Sequence, residues 1–138
     1  MSRVLVADPI ALEGVELLET GADVDVKHGL KPPELLKIIG SYDALVVRSE
    51  TKVTPEVVKS AKNLRVIARA GIGVDNINLE AATGAGIAVV NAPLGNTVAA
   101  AEHTMALMLA LARNVPQAYQ SLKQGEWKRS AFMGIEIR

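Results

Sequence analysis

The chain has 138 residues, 15 Lys plus Arg against 15 Asp plus Glu, and no cysteine. That length suits one ordinary domain burying about two-thirds of its unfolded surface, the even charge offers no net field for nucleic acid or an anionic membrane, and the missing thiols exclude disulfides and thiolate metal sites. Two histidines, His28 and His103, are too few for an ordinary zinc site, the N-terminal apolar run Val4–Ala7 is far too short for the core of a secretory leader, and no apolar run approaches the ~20 residues of a membrane span, so a cytoplasmic protein without metal is expected.

In chain order, the first short apolar run is Val4–Ala7, closed by Asp8. Val24–Val26 and Ala44–Val47 follow, the latter running into Arg48-Ser49. Thr54-Pro55-Glu56 then supplies an N-cap, a proline at the first helical position and an acid near the positive helix end. The fourth run, Val66–Ala68, ends at Arg69 and leads into the turn Gly71-Ile72-Gly73 with Val74-Asp75-Asn76 behind it. Asn78-Leu79-Glu80 opens another helix, and Gly40, Gly84 and Gly86 stand where helices should stop. The fifth run, Ile87–Val90, closes at Asn91-Ala92-Pro93. Runs rich in Val and Ile, alternating with helical patterns, read as strands buried on both faces, so the expected class is α/β with a doubly wound, five-stranded parallel sheet.

The pattern changes after Gly95-Asn96. Met105 to Ala112 are eight consecutive apolar residues, more than two helical turns with no face left for water. Gln117 to Arg129 is polar again and holds the only tryptophan, Trp127. A boundary near Asn96 is therefore expected, with one domain over 1–96 and the beginning of a second over 97–138.

The glycine turn invites comparison with a nucleotide loop, but a dinucleotide fingerprint needs a third glycine at position 76 and an acid closing the next strand. Asn76 and Asn91 stand there instead. The turn is better suited to a small anion, held by backbone N–H groups around Gly71, Ile72 and Gly73 and by the forked donors of Arg48 and Arg69 on neighbouring strands. Asn91 is either a chain-exit turn or a substrate contact. Asp75 and Asn76 suit a turn before a helix. His103, beside Glu102 on so apolar a segment, reads as a packed interface residue rather than an acid–base group. Asp8 alone would be a weak Mg²⁺ site, and Lys128-Arg129 beside Trp127 a solvated charge pair.

Taken together, Arg48-Ser49, Arg69-Ala70-Gly71-Ile72-Gly73-Val74-Asp75-Asn76, Asn91-Ala92-Pro93-Leu94-Gly95-Asn96, Ala101-Glu102-His103 and Trp127-Lys128-Arg129-Ser130-Ala131-Phe132-Met133-Gly134 resemble the D-2-hydroxyacid dehydrogenases, over essentially the whole chain. The resemblance implies a flavodoxin-like substrate domain over 1–96 and the first helices of a Rossmann domain after it. It also implies oxidation of a D-2-hydroxy acid with NAD. The likeness is strongest to the members that convert D-3-phosphoglycerate to 3-phosphohydroxypyruvate at the start of serine biosynthesis. Carried over by resemblance, Arg48 and Arg69 would hold the substrate, the Gly71-Ile72-Gly73 backbone would meet its carboxylate, Ile72 would touch the nicotinamide and Asn91 would line the cleft. Arg129 would reach the active site of a neighbouring subunit, which implies a homo-oligomer, a dimer first of all. The family's Gly-x-Gly-x-x-Gly loop and its catalytic arginine, glutamate and histidine fall beyond residue 138, so no catalytic residue is expected in these residues, and alone they should neither bind NAD tightly nor turn over. The competing expectation is a stand-alone flavodoxin-like module that binds a small anion without turnover.

Overall fold

In a computed structural model, which describes residues 1–137, the first unit runs from Met1 to Gly95 and the second begins at Asn96. Arg138, the last residue of the expected second domain, lies outside the described residues. The first unit contains β1 (Ser2–Val6), α1 (Leu12–Glu19), β2 (Ala22–Val26), α2 (Pro32–Ile38), a 3-10 turn (Ile39–Ser41), β3 (Ala44–Val47), α3 (Pro55–Ser60), β4 (Val66–Arg69), α4 (Leu79–Gly84) and β5 (Ala88–Asn91). All neighbouring strands pair in parallel, in the order β2-β1-β3-β4-β5. This is the doubly wound, flavodoxin-like order, in which the chain reverses its direction of growth between β1 and β3.

Local chemistry sets the helix ends. Asn78 accepts the Ala81 N–H at 2.8 Å and so caps α4. Its other end is a Schellman turn: Gly86, at φ 69°, donates to the Thr83 carbonyl while Ile87 donates to Ala82. Pro55 opens α3 and Thr54 stands at its N-cap as expected, without a side-chain bond to the helix; the nearby Thr54 hydroxyl holds the Glu56 carboxyl below its ordinary value. Gly40 does not end a helix either. It sits inside the 3-10 turn, where a Cβ would come within 2.9 Å of the Ser60 carbonyl oxygen, so the residue permits close approach of that turn to the end of α3.

The larger core lies on one face of the sheet, where Leu5, Leu45, Val47 and Ile67 meet Leu35, Ile39, Tyr42, Val57 and Val58 from α2, the 3-10 turn and α3. The opposite face is smaller, centred on Val4, Val6 and Val46 with Ile10 and Leu18 packed against it. The expectation that all five strands are buried on both faces fails at the margins. β2 and β5 are edge strands with one neighbour each, β2 alternates valine with Asp23 and Asp25, and Val90 of β5 is largely exposed. Charged residues on an edge also deter pairing with another chain. Here Asp25 accepts from Arg3 at 2.8 Å and from the buried Tyr42 hydroxyl at 2.7 Å, and Lys27 donates to that hydroxyl at 3.0 Å.

The second unit holds α5 (Thr97–Ala112), α6 (Val115–Lys123) and a 3-10 turn (Arg129–Phe132). Asn114, in the left-handed region at φ 53°, separates the two helices. None of the α5 side chains is buried, and Leu111 is 80% exposed. No helix among the described residues is long and apolar enough to cross a membrane.

Candidate active site at the strand ends

Parallel sheets of this kind gather ligands outside the carboxyl ends of their strands. Register places three candidates in one row: Val47, followed by Arg48, lies opposite Arg69, which lies opposite Asn91. The loops that leave these strands are tied to each other. Arg69 Nε donates to the Arg48 carbonyl at 3.2 Å, Ala70 N–H to Val47 at 2.8 Å, Asn91 Nδ2 to the Ile72 carbonyl at 2.6 Å and Ala92 N–H to Gly71 at 3.0 Å. The turn over 71–73 is thus held on one side by β3 and on the other by the end of β5.

Arg48, Arg69, Gly71, Ile72, Gly73 and Asn91 all belong to this row of loops. Arg129 belongs to the second unit, exposed at the start of its 3-10 turn. The neighbouring Lys128 ammonium lies 2.7 Å from Glu126 and holds that carboxyl low, whereas Arg129 pairs with no carboxylate among the described residues. His103 is exposed on α5.

Cationic donors are available at the strand ends. Neither Arg48 nor Arg69 forms an ion pair with a carboxylate among the described residues; Arg48 Nη1 reaches only the Pro9 carbonyl, at 3.2 Å. The backbone donors differ from the expectation in one respect. Gly71 N–H is spent on the Arg69 carbonyl at 2.8 Å, leaving the N–H groups of Ile72 and Gly73 as the ones with no acceptor among the described residues. Gly71 contributes space instead. Its φ is not positive, but a Cβ there would collide with the Arg69 guanidinium. The Ile72 side chain is 40% exposed.

Two residues underneath this row were undervalued from the sequence. Asp8, 1% exposed, receives Arg48 N–H at 2.7 Å, Glu50 N–H at 3.2 Å, Thr51 N–H at 3.1 Å and the Thr51 hydroxyl. Burial pushes its carboxyl up, but the Thr51 hydroxyl and the backbone N–H groups of Arg48, Thr51 and Glu50 outweigh burial and leave it below the usual carboxylate range. The weak Mg²⁺ reading of Asp8 is therefore replaced by a loop anchor, because its oxygens are taken up by donors of the chain. Among the described residues no group of three or more His, Asp or Glu side chains could hold a metal. Asn76 donates from Nδ2 to the carbonyls of Arg48, at 2.8 Å, and Thr51, at 2.7 Å. An acid directly after a fully apolar central strand, with a threonine three residues beyond Arg48 on the adjacent loop, was the signal available for the first; nothing local distinguished the second.

The profile of the family described as D-isomer specific 2-hydroxyacid dehydrogenase, catalytic domain, matches residues 4–131. The chain belongs to this family. Its curated relatives include D-3-phosphoglycerate dehydrogenases of Archaeoglobus fulgidus, 55% identical over 99% of this chain and 26% of the relative, and of Homo sapiens, 44% identical over 99% and 26%. The chain thus spans about a quarter of the length of these dehydrogenases. Among solved structures, NAD⁺-bound 3-phosphoglycerate dehydrogenase of Entamoeba histolytica superposes with a TM-score of 0.73 at 31% identity, over 81% of this chain and 39% of that one. The PH0520 protein of Pyrococcus horikoshii superposes at 0.84 with 34% identity, over 99% and 42%. The family assignment agrees with the flavodoxin-like order of the sheet.

Proposed function

We propose that this chain is the substrate-binding part of a longer NAD-dependent dehydrogenase that oxidises D-3-phosphoglycerate to 3-phosphohydroxypyruvate. The observation that carries the proposal is the pair of guanidinium groups without carboxylate partners, Arg48 and Arg69, beside the unspent N–H groups of Ile72 and Gly73. A substrate with a carboxylate at one end and a phosphate at the other needs two separated sets of such donors. Charge-assisted, forked hydrogen bonds from arginine fit both groups. The names of the curated relatives support this substrate over other 2-hydroxy acids.

In this reading Arg69 and the Ile72 and Gly73 N–H groups take the substrate carboxylate, Arg48 adds charge toward the far anion, and Asn91 closes the cleft from β5. Arg129 serves a neighbouring subunit of a homo-oligomer. A nicotinamide nucleotide would supply the hydride acceptor, and Ile72 is the residue of this chain that would meet its ring. The strand ends offer no Gly-x-Gly-x-x-Gly loop for a pyrophosphate, so tight NAD binding is assigned to the rest of the protein. No histidine stands at the ends of β3, β4 and β5, so the group that moves the hydroxyl proton is also assigned elsewhere, and the 138 residues alone are inactive.

Steady-state kinetics of the full-length dehydrogenase with D-3-phosphoglycerate and NAD test the reading. Loss of one arm of a charge-assisted contact is worth about 2 kcal/mol, so Arg48→Ala and Arg69→Ala should each raise KM roughly 30-fold. D-glycerate, which lacks the phosphate, should be used far less well by the unsubstituted enzyme. If both variants stay within about threefold of the parent, the arginines do not hold the substrate.

A further inference from the structure

Beneath the proposed substrate groups, Asn76 occupies a position that a turn-forming role does not explain. Its Nδ2 donates both its N–H groups to one loop, to Arg48 at 2.8 Å and Thr51 at 2.7 Å. The Arg48 carbonyl is shared: it also accepts Arg69 Nε at 3.2 Å. Asp8 meanwhile collects the N–H groups of Arg48, Glu50 and Thr51, so the loop over 48–51 is gripped through its donors by Asp8 and through its carbonyls by Asn76. The grip has a cost. Asn76 Oδ1 is buried with no partner among the described residues, which is tolerated only where the rest of the side chain is strongly constrained. The two carbonyls fix the amide's orientation, because the flipped amide would aim its oxygen at two acceptors. Aspartate would offer no donor at all, and serine only one.

We infer that Asn76 is a positioning residue: by holding the Arg48 carbonyl in place it fixes the acceptor against which the Arg69 guanidinium is anchored. Its contribution to substrate binding passes through Arg69. The inference rests on the substrate-binding reading above, and the experiment separates the two. In the full-length enzyme, KM and kcat for D-3-phosphoglycerate are measured for Asn76→Ala, Arg69→Ala and the double variant. Asn76→Ala should raise KM about tenfold, the loss expected from one or two hydrogen bonds, with kcat within about threefold of the parent. In the Arg69→Ala background the same change should cost less than about threefold, because residues acting through a shared partner are not additive. If Asn76→Ala does not fold, Asn76→Ser is read against the same criteria. An unchanged KM in the Asn76 variant, or a penalty carried undiminished into the Arg69→Ala background, overturns the inference and leaves the substrate reading standing. An Arg69→Ala enzyme with the parent's KM also overturns the inference, and the parent's KM in Arg48→Ala as well overturns the substrate reading.

Discussion

Asp8 shows how a single buried charge can shape a loop at the carboxyl ends of the strands. Its carboxylate faces only donors, so Asp8→Asn would turn an amide NH₂ toward N–H groups and leave at least one of them unsatisfied. The expected loss is about 2–3 kcal/mol of unfolding free energy, read from denaturant titration at neutral pH. The pH dependence has a fixed sign. The folded carboxyl titrates below the unfolded one, so its stabilisation is fully present above the unfolded value and is lost as the pH falls through the folded value. The parent should therefore lose more stability than Asp8→Asn as the pH is lowered across the carboxylate range. Gly71 makes a different kind of prediction. Gly71→Ala leaves an ordinary backbone but puts a methyl group against the Arg69 guanidinium, a flexible group that can move away. Unfolding free energy should stay within about 0.5 kcal/mol, a surface-like change, while KM of the full-length enzyme for D-3-phosphoglycerate rises. Arg48, Arg69 and the turn were legible in the sequence because arginine after an apolar strand and closely spaced glycines are local patterns. The roles of Asp8 and Asn76 were not, since each depends on partners about 25 to 43 residues away in the chain.

At the scale of elements, hydrophobic pattern located all five strands, and Ala44–Val47 agrees with β3 at both ends. The pattern could not say which strands lie at the margin. β2 carried the necessary sign in Asp23 and Asp25, alternating with valine as in a strand exposed on one side. β5 carried none, because Ala88-Val89-Val90 looks as apolar as the central strands and only pairing order makes it an edge. Capping was readable at both helix starts: Asn78 caps α4 through its side chain, and Thr54 holds the N-cap position of α3, though without a side-chain bond to the helix. The Schellman turn after α4 gives a clean test. Gly86→Ala forces a Cβ into the left-handed region with open space around it, so strain alone should lower stability by about 1 kcal/mol, visible as a lower Tm without change in the far-UV spectrum.

For the molecule as a whole, the division after Gly95 separates a unit with its own two-faced core from one whose longest helix buries none of its side chains. Apolar periodicity disappears at α5, with which the second unit begins. What covers the helix was not legible, since an all-apolar segment states only that it must be covered. At ~25 cal/mol per Å², a few hundred Å² of exposed apolar surface represents several kcal/mol before association costs. The 138-residue chain should therefore self-associate at micromolar concentration, and residues 1–95 alone should run as a folded monomer in light scattering. A monomeric 138-residue chain with α5 ordered would show that this surface finds cover within a single copy.

The strand order also has a consequence for how the protein is made. β1 leaves the ribosome first yet ends between β2 and β3, after which β4 and β5 add in turn to one growing edge. Each new strand thus finds its template already synthesised. The exception is Asp8, which emerges about 40 residues before the loop that surrounds its carboxylate. Until that loop arrives the acid must remain in water, so the carboxyl end of β1 should close late, in the same step that assembles the loop over 48–51.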